Sequence, residues 1–172
     1  MRFVFALLAA LALSASPAFA DELTKALNRA IGLFDAAAPE IGHAFGVDRD
    51  QYRDALVTGK FQRGGKTISL YYEEKADPAG HCGRFAAYTM LPPRDGIVRL
   101  VVCPRFFSPG ADDLRALTVL HELVHAVTDT DECRAMAYAA RIQSLATGRF
   151  TPVDAYWQAN NCAGSAFSLP RD

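Results

Sequence analysis

The spacing of two histidines in the segment TVLHELVHAV, residues 118–127, constrains this chain more than any other feature. His121 and His125 are four residues apart, and residues at that spacing lie on one face of an α-helix, about one turn from each other. Both imidazoles can then reach one point, and catalytic zinc sites use three protein ligands together with a water. Glu122 projects beside the pair, where it can exchange a proton with that water. The spacing therefore predicts a helix that carries two ligands of a zinc centre.

A zinc site of this kind needs a third protein ligand, which the acidic segment after the helix can supply. Asp129, Asp131 and Glu132 all follow closely on the second histidine. Asp129 and Glu132 also have the spacing of a capping box, in which both residues would serve the start of the next helix rather than a metal. Asp131 extends the apolar stripe of that next helix backwards, whereas Glu132 lies on a neighbouring face. The pattern alone does not separate Asp131 from Glu132 as the third ligand.

The five-residue motif also has an interpretation without a metal. Any amphipathic helix can carry two solvated histidines and an acid by chance. In this chain Leu117, Leu120, Val124 and Val127 recur at helical spacing and predict a core stripe. The histidines lie at the edge of that stripe, where the floor of a cleft would be. This placement and the trailing acids favour zinc binding.

The first twenty residues, MRFVFALLAALALSASPAFA, have the pattern of a secretory signal peptide. Arg2 provides a basic start, an apolar run follows over residues 3–13, and the small-residue sequence Ala18-Phe19-Ala20 ends the segment. The run is short for a membrane anchor. We therefore expect cleavage after Ala20, a single domain over residues 21–172, and a secreted or periplasmic location.

Charge and hydropathy exclude two classes of partner. The formal net charge is −1, and lysine and arginine form no run, so neither a nucleic acid nor an anionic membrane surface is expected. No second apolar stretch is long enough to cross a bilayer.

The four cysteines predict two disulfide bonds. They are even in number, follow the predicted signal peptide and lack a Cys-x-x-Cys spacing, so disulfides are favoured over a cysteine metal site. Of the three possible pairings we favour Cys82–Cys103, across a predicted hairpin, and Cys133–Cys162, which would tie the C-terminal segment to the helix after the histidines.

Periodicity in the rest of the chain predicts an α+β fold with N-terminal helices, a small antiparallel sheet, the histidine helix and further C-terminal helices. The N-terminal segment reads as helical, although Pro39 and Gly46 could divide it into two short helices. Alternating apolar residues predict strands within residues 60–74, 83–91 and 96–107, with the turn sequence PPRDG between the last two. Helices are then predicted from Asp112 or Asp113 to about Val127, from about Asp131 to Thr147, and from Thr151 onwards.

Taken together, these segments resemble the aspzincin metallopeptidases, the family that contains deuterolysin and peptidyl-lysine metalloendopeptidase. The likeness covers about residues 81–162 and includes CGRFAAYT, IVRLVVCPRFF, RALTVLHELVH, DTDE and VDAYWQANN in that order. Where the family has Gly-Thr-x-Asp, with the aspartate as third ligand, this chain has Asp129-Thr130-Asp131-Glu132. The resemblance therefore implies a zincin-type fold with Glu132 as third zinc ligand, because a longer carboxylate compensates for a shorter connection. Asp131 is the second choice.

One departure from the family concerns the hydrogen-bond donor to the oxyanion. The family has a tyrosine shortly after its ligand aspartate, and this position falls on Ala135 here. Tyr138, one turn further, and Tyr156 are candidate replacements, and Tyr88 is a third.

The resemblance implies a zinc metalloendopeptidase that hydrolyses protein or peptide substrates with Glu122 as general base and acid. From the signal pattern we expect it to be secreted, and we expect a monomer. Two alternatives stay open: a zinc-binding but weakly active protein that binds or processes one partner, and a disulfide-stapled interaction domain without a metal.

Overall fold

The computed structural model describes residues 17–171, and in this part of the chain it has an α+β fold with five α-helices and a four-stranded sheet. Most of the predicted signal peptide lies outside the described residues. In chain order the elements are α1 (Pro17–Ile41), α2 (Arg49–Thr58), β1 (Lys60–Arg63), β2 (Lys66–Glu74), β3 (Ala87–Arg94), β4 (Ile97–Val102), α3 (Asp112–Val127), α4 (Glu132–Thr147) and α5 (Asp154–Ala159).

The N-terminal segment forms one long helix, α1, and not the two short helices that its breakers allowed. Pro39 lies in the last turn of α1, so the helix loses the one hydrogen bond to the carbonyl of Asp35 and ends two residues later. Leu23 and Phe34 are buried, and Leu27 and Ile31, which lie on the same face of the helix, pack against the core beside them. Because α1 packs mainly against α3 and α4, it supports the two helices that carry the acidic and histidine residues.

The sheet is mixed, so the prediction of an antiparallel sheet is wrong at its centre. The strand order is β1-β2-β4-β3, with antiparallel pairs at both ends and a parallel pair between β2 and β4. The predicted β3–β4 hairpin does form, around Asp95 and Gly96, whose positive φ angles suit a tight hairpin turn. The hairpin docks through β4, its second strand, and this choice makes the central pair parallel and leaves β3 at the edge.

The core lies between the sheet and the helices α1 to α4. Val98, Leu100 and Val102 of β4 are almost fully buried on the helical side. Tyr52 of α2 is also buried, and its hydroxyl donates to the backbone oxygen of Leu120 at 2.8 Å, which ties α2 to the histidine helix.

Both predicted disulfides are confirmed. Cys82–Cys103 joins the segment before β3 to the end of β4, and Cys133–Cys162 joins the first turn of α4 to the segment after α5. These bonds indicate an oxidising environment. Among residues 17–171, none of the helices combines the length and the apolar character that a membrane crossing requires.

Candidate metal centre

Helix α3 buries both histidines side by side. His121 and His125 are each about one-twentieth exposed, because the neighbouring Leu120 and Val124 on the same helix are packed into the core. The Nε2 atoms of the two rings are 3.1 Å apart. In their neutral forms with the proton on Nδ1, the two rings would direct lone pairs to one point, where they could share a cation.

Glu132 brings a carboxylate to the same point from the next helix. It is the first residue of α4, and its Oε2 atom lies 3.0 Å from Nε2 of His121 and 3.3 Å from Nε2 of His125. The connection of α3 to α4 is a short turn in which Oδ1 of Asp129 accepts from the backbone N–H of Asp131 at 3.0 Å. This turn folds the start of α4 back onto the histidines.

Asp131 occupies a different role from the one considered for it as a ligand. It is the N-cap of α4, and its Oδ1 accepts from the backbone N–H of Arg134 at 2.9 Å. An N-cap side chain turns towards the free amides of its own helix and therefore away from the histidines. The structure thus brings Glu132, and not Asp131, into the group of three residues that could hold a metal ion.

The donor set and its dimensions fit a zinc ion. Tetrahedral ligands at about 2.0–2.1 Å from zinc lie roughly 3.3 Å from one another. The separations among His121, His125 and Glu132 are 3.0, 3.1 and 3.3 Å, close to that value. Two imidazoles and one carboxylate leave one position of a tetrahedron free, as in catalytic sites.

The hydrogen bonds around the rings fix one histidine more firmly than the other. Nδ1 of His125 donates to the backbone oxygen of Asp129 at 2.8 Å, so in the neutral ring Nε2 carries the lone pair, and this atom faces the group. Nδ1 of His121 is buried and has no hydrogen-bond partner among the described residues. The outer hydrogen bond that orients a ligand histidine is therefore present at His125 and missing at His121.

Mutual electrostatics stabilise the charged forms of these groups. Burial alone would raise the pKa of Glu132, but hydrogen bonds from His121, His125 and Tyr156 outweigh it and hold the pKa well below its usual range. Burial alone would lower the pKa of His125, but the hydrogen bond to Glu132 and the charge of Glu122 raise the pKa above its ordinary value. The site therefore attracts positive charge.

Glu122 is buried beside the histidines and is anchored by a residue that the sequence did not single out. The hydroxyl of Thr89 lies 3.0 Å from Oε2 of Glu122 and 3.0 Å from its backbone oxygen. With one proton, the hydroxyl donates to one of these acceptors at a time. Thr89 shares one face of β3 with Ala87 and Leu91. A polar residue at an otherwise apolar position of a strand was the feature of the sequence that could have pointed to it.

The two principal candidate tyrosines lie in different environments. The hydroxyl of Tyr156, in α5, donates to Oε2 of Glu132 and lies 3.4 Å from Nε2 of His121. Burial and the hydrogen bond to Glu132 raise the pKa of Tyr156, so the phenol stays protonated. Tyr138 is fully buried and packs edge-on against Tyr52, and burial raises its pKa as well. A side chain locked in the core cannot reach a substrate, so Tyr156 is the tyrosine at the site.

A cleft of about 330 Å³ opens beside the centre. His121, Glu122 and Tyr156 form part of its wall, and the start of β3 forms another part. A ligand in this cleft would contact Glu122 and the candidate metal position together.

Comparisons with family models, with curated proteins and with solved structures return no match to this chain.

Proposed function

We propose that the protein is a zinc-dependent metalloendopeptidase of the aspzincin-like type. The observation that carries the proposal is the convergence of His121, His125 and Glu132 to within 3.0–3.3 Å, with the buried carboxylate of Glu122 next to them on the wall of a cleft. The segment order that resembles the aspzincins supports the same conclusion. The two disulfides and the N-terminal signal pattern support a secreted or periplasmic location.

The three ligand residues would hold the ion through Nε2 of each histidine and a carboxylate oxygen of Glu132. When bound, zinc supplies a Lewis acid for the scissile carbonyl and lowers the pKa of a water to about 7. Glu132 brings one negative charge to the group, and the hydrogen bond from His125 to Asp129 keeps that imidazole in the tautomer that can bind.

Glu122 moves the proton in this proposal. Its carboxylate accepts a proton from the attacking water and then gives it to the amine of the departing product. Thr89 holds one carboxylate oxygen by a hydrogen bond of 3.0 Å, so the other oxygen is free to face the water. Because Glu122 is buried, little solvent competes for that proton.

Tyr156 donates a hydrogen bond to the carbonyl oxygen as negative charge develops on it. Its phenol stays protonated at neutral pH and lines the cleft, as this role requires. In the free protein the hydroxyl is bonded to Glu132, so substrate binding must exchange one acceptor for another.

The edge strand β3 offers a surface for a peptide backbone. Among the described residues its neighbour in the sheet is β4 alone, so within residues 17–171 its other edge is not paired with a strand. An extended peptide can add to such an edge as a further strand. Ala87, at the start of β3, also lines the cleft, so the peptide would run past Glu122.

The test combines metal analysis with a peptide-library assay on the purified protein. We expect stoichiometric zinc and cleavage that chelation abolishes and zinc restores. Loss of the general base in Glu122→Gln should lower the rate by about 10²–10⁴-fold. Glu40→Gln, which removes an exposed carboxylate near the end of α1, is the matched control and should cleave like the wild type. Equal rates for Glu122→Gln and the wild type would exclude this mechanism.

A zinc-binding protein with weak activity is the second candidate. Ala135 stands where the aspzincins have their tyrosine, and the hydroxyl of Tyr156 is already engaged by Glu132. Stoichiometric zinc without cleavage of any peptide would favour this candidate. If neither the wild type nor His121→Ala contained zinc, an interaction domain without a metal would be favoured.

A further inference from the structure

The cleft beside Glu122 has an apolar interior. Leu117, Met136 and Val153 are buried side chains on its wall, and Ala87, at the start of β3, also lines it. Glu122 is the one carboxylate among its lining residues. A cationic side chain placed in this interior would meet no acid other than the proposed base, and burying an unpaired charge is costly. The interior therefore suits an uncharged, apolar side chain.

Two arginines lie at the exposed rim of the same cleft. Arg84 and Arg105 both line it and are both exposed. Each follows a cysteine of the Cys82–Cys103 bond by two residues, so that disulfide holds the two arginines next to each other. Nη1 of Arg105 donates to the backbone oxygen of Arg84 at 3.1 Å.

Neither guanidinium is neutralised within the part of the chain that the structure describes. Arg84 and Arg105 have no carboxylate within 4.0 Å among residues 17–171, unlike Arg53, which lies 3.8 Å from Asp35. The guanidinium of Arg84 lies over the ring of Phe85, 5.5 Å from its centroid, which limits its motion. Both arginines therefore bring positive charge to the same rim, and the fork of donors on a guanidinium matches a carboxylate.

We propose that this cleft binds an apolar side chain of a peptide while Arg84 and Arg105 at its rim pair with a carboxylate of the same peptide. The inference rests on the proposed function, whose substrate class it names. The carboxylate belongs either to an acidic side chain or to the C-terminus of the peptide, and both present the same group to the arginines. A peptide with a basic residue at the same place is disfavoured, since its charge meets two cations.

Binding and cleavage are measured separately, so that failure of the inference and failure of the peptidase proposal can be told apart. Peptides carry leucine or phenylalanine followed by glutamate, glutamine or lysine, and a further arm has a free or an amidated C-terminus directly after the apolar residue. Fluorescence anisotropy of labelled peptides reports binding to the full zinc-loaded protein, and mass spectrometry reports cleavage. An exposed ion pair changes an equilibrium constant by up to about fivefold, so two arginines predict roughly a five- to twentyfold preference for glutamate over lysine.

Charge variants at the rim test the role of the arginines. Arg84→Gln and Arg105→Gln should each reduce the glutamate preference, and Arg84→Glu combined with Arg105→Glu should invert it in favour of lysine. Inversion is a result that a merely structural role of these residues would not produce. Arg149→Gln, which removes the same charge from an exposed arginine after α4 that does not line the cleft, is the matched control and should leave the preference unchanged. High salt should weaken the preference for the same electrostatic reason.

A variant that narrows the cleft tests the apolar half of the inference. Thr118 lines the cleft, and Thr118→Phe should shift the preference from leucine and phenylalanine to alanine. Apolar–acidic peptides that bind through the arginines without being cleaved would support the inference and refute the peptidase. Cleavage that is indifferent to both the apolar and the acidic residue would refute the inference alone. Absence of binding by every peptide in this set would refute the inference alone, because the peptide library and Glu122→Gln test the peptidase separately.

Discussion

Replacing Glu132 by glutamine removes the negative charge from between His121 and His125 while keeping the size of the side chain. Loss of an outer hydrogen-bond partner of a metal ligand alone costs about 10–100-fold in metal affinity. Glu132 contacts both Nε2 atoms directly, at 3.0 and 3.3 Å, so we expect its loss to reach the upper end, about 100-fold.

The effect is measurable as a change in thermal stability. At a zinc concentration about 1,000 times the wild-type Kd, binding stabilises the folded protein by about 4.1 kcal/mol, and a 100-fold weaker variant retains about 1.4 kcal/mol. For a domain of this size each kcal/mol raises the Tm by about 2–4 °C. Zinc should therefore raise the wild-type Tm by roughly 8–16 °C and the variant Tm by roughly 3–6 °C.

The metal-free proteins provide the baseline for this comparison. The side chain of Glu132 is 41% exposed, so solvent weakens its hydrogen bonds, and the variant should lose only about 1 kcal/mol without zinc. Asp131→Asn is the matched control, because asparagine is an equally good N-cap and Asp131 lies outside the group of ligand atoms. A zinc shift that survives in Glu132→Gln and disappears in Asp131→Asn would refute the assignment of the third ligand.

Three further predictions concern the scaffold. Replacing both Cys133 and Cys162 by serine should cost roughly 3–4 kcal/mol in the free energy of unfolding, because the loop they close spans 29 residues. Urea unfolding measures the loss, and an unchanged midpoint would contradict this prediction. Tyr52→Phe should cost about 1 kcal/mol in the same assay, because it removes the buried hydrogen bond to Leu120, and it would count against this reasoning if stability rose. Burial raises the pKa of Tyr72 to about 12. The neutral phenol therefore contributes stability that is complete below the unfolded pKa of about 10 and is lost as the pH rises towards 12. Tyr72→Phe should flatten this alkaline loss of stability, and unfolding measured at a series of pH values will test it.

The helical part of the site was within reach of sequence reasoning because its information is local. The spacing of His121 and His125 fixes their common face, and the positions of the cysteines relative to the predicted hairpin and helix led to both disulfide pairings. The choice between Asp131 and Glu132 depends on the residue at which α4 begins, since a shift by one residue exchanges an N-cap for the first helical position. Sequence patterns locate helix ends less well than that. The structure places the cap on Asp131.

The parts that the sequence did not reveal depend on contacts between distant segments. Tyr138 and Tyr156 are both plausible donors in the sequence, but packing against Tyr52 buries the first, and the turn after α4 brings the second to Glu132. The bond from Thr89 to Glu122 joins residues 33 apart. The parallel pairing at the centre of the sheet was missed for the same reason. Alternation of apolar residues predicts which face of a strand is buried, but it does not predict which strands pair with each other.

The parallel pair β2–β4 also imposes an order on folding. The hairpin of β3 and β4 closes through a turn at Asp95 and Gly96 and can form by itself within about 1–10 μs. Ser69 of β2 meets Ile97 of β4 only after the intervening chain has been ordered, and closing that long loop delays the pairing. Until then β2 and its partner β1 present an open edge to other unfinished chains, so newly made molecules are most prone to aggregate before this central seam has closed.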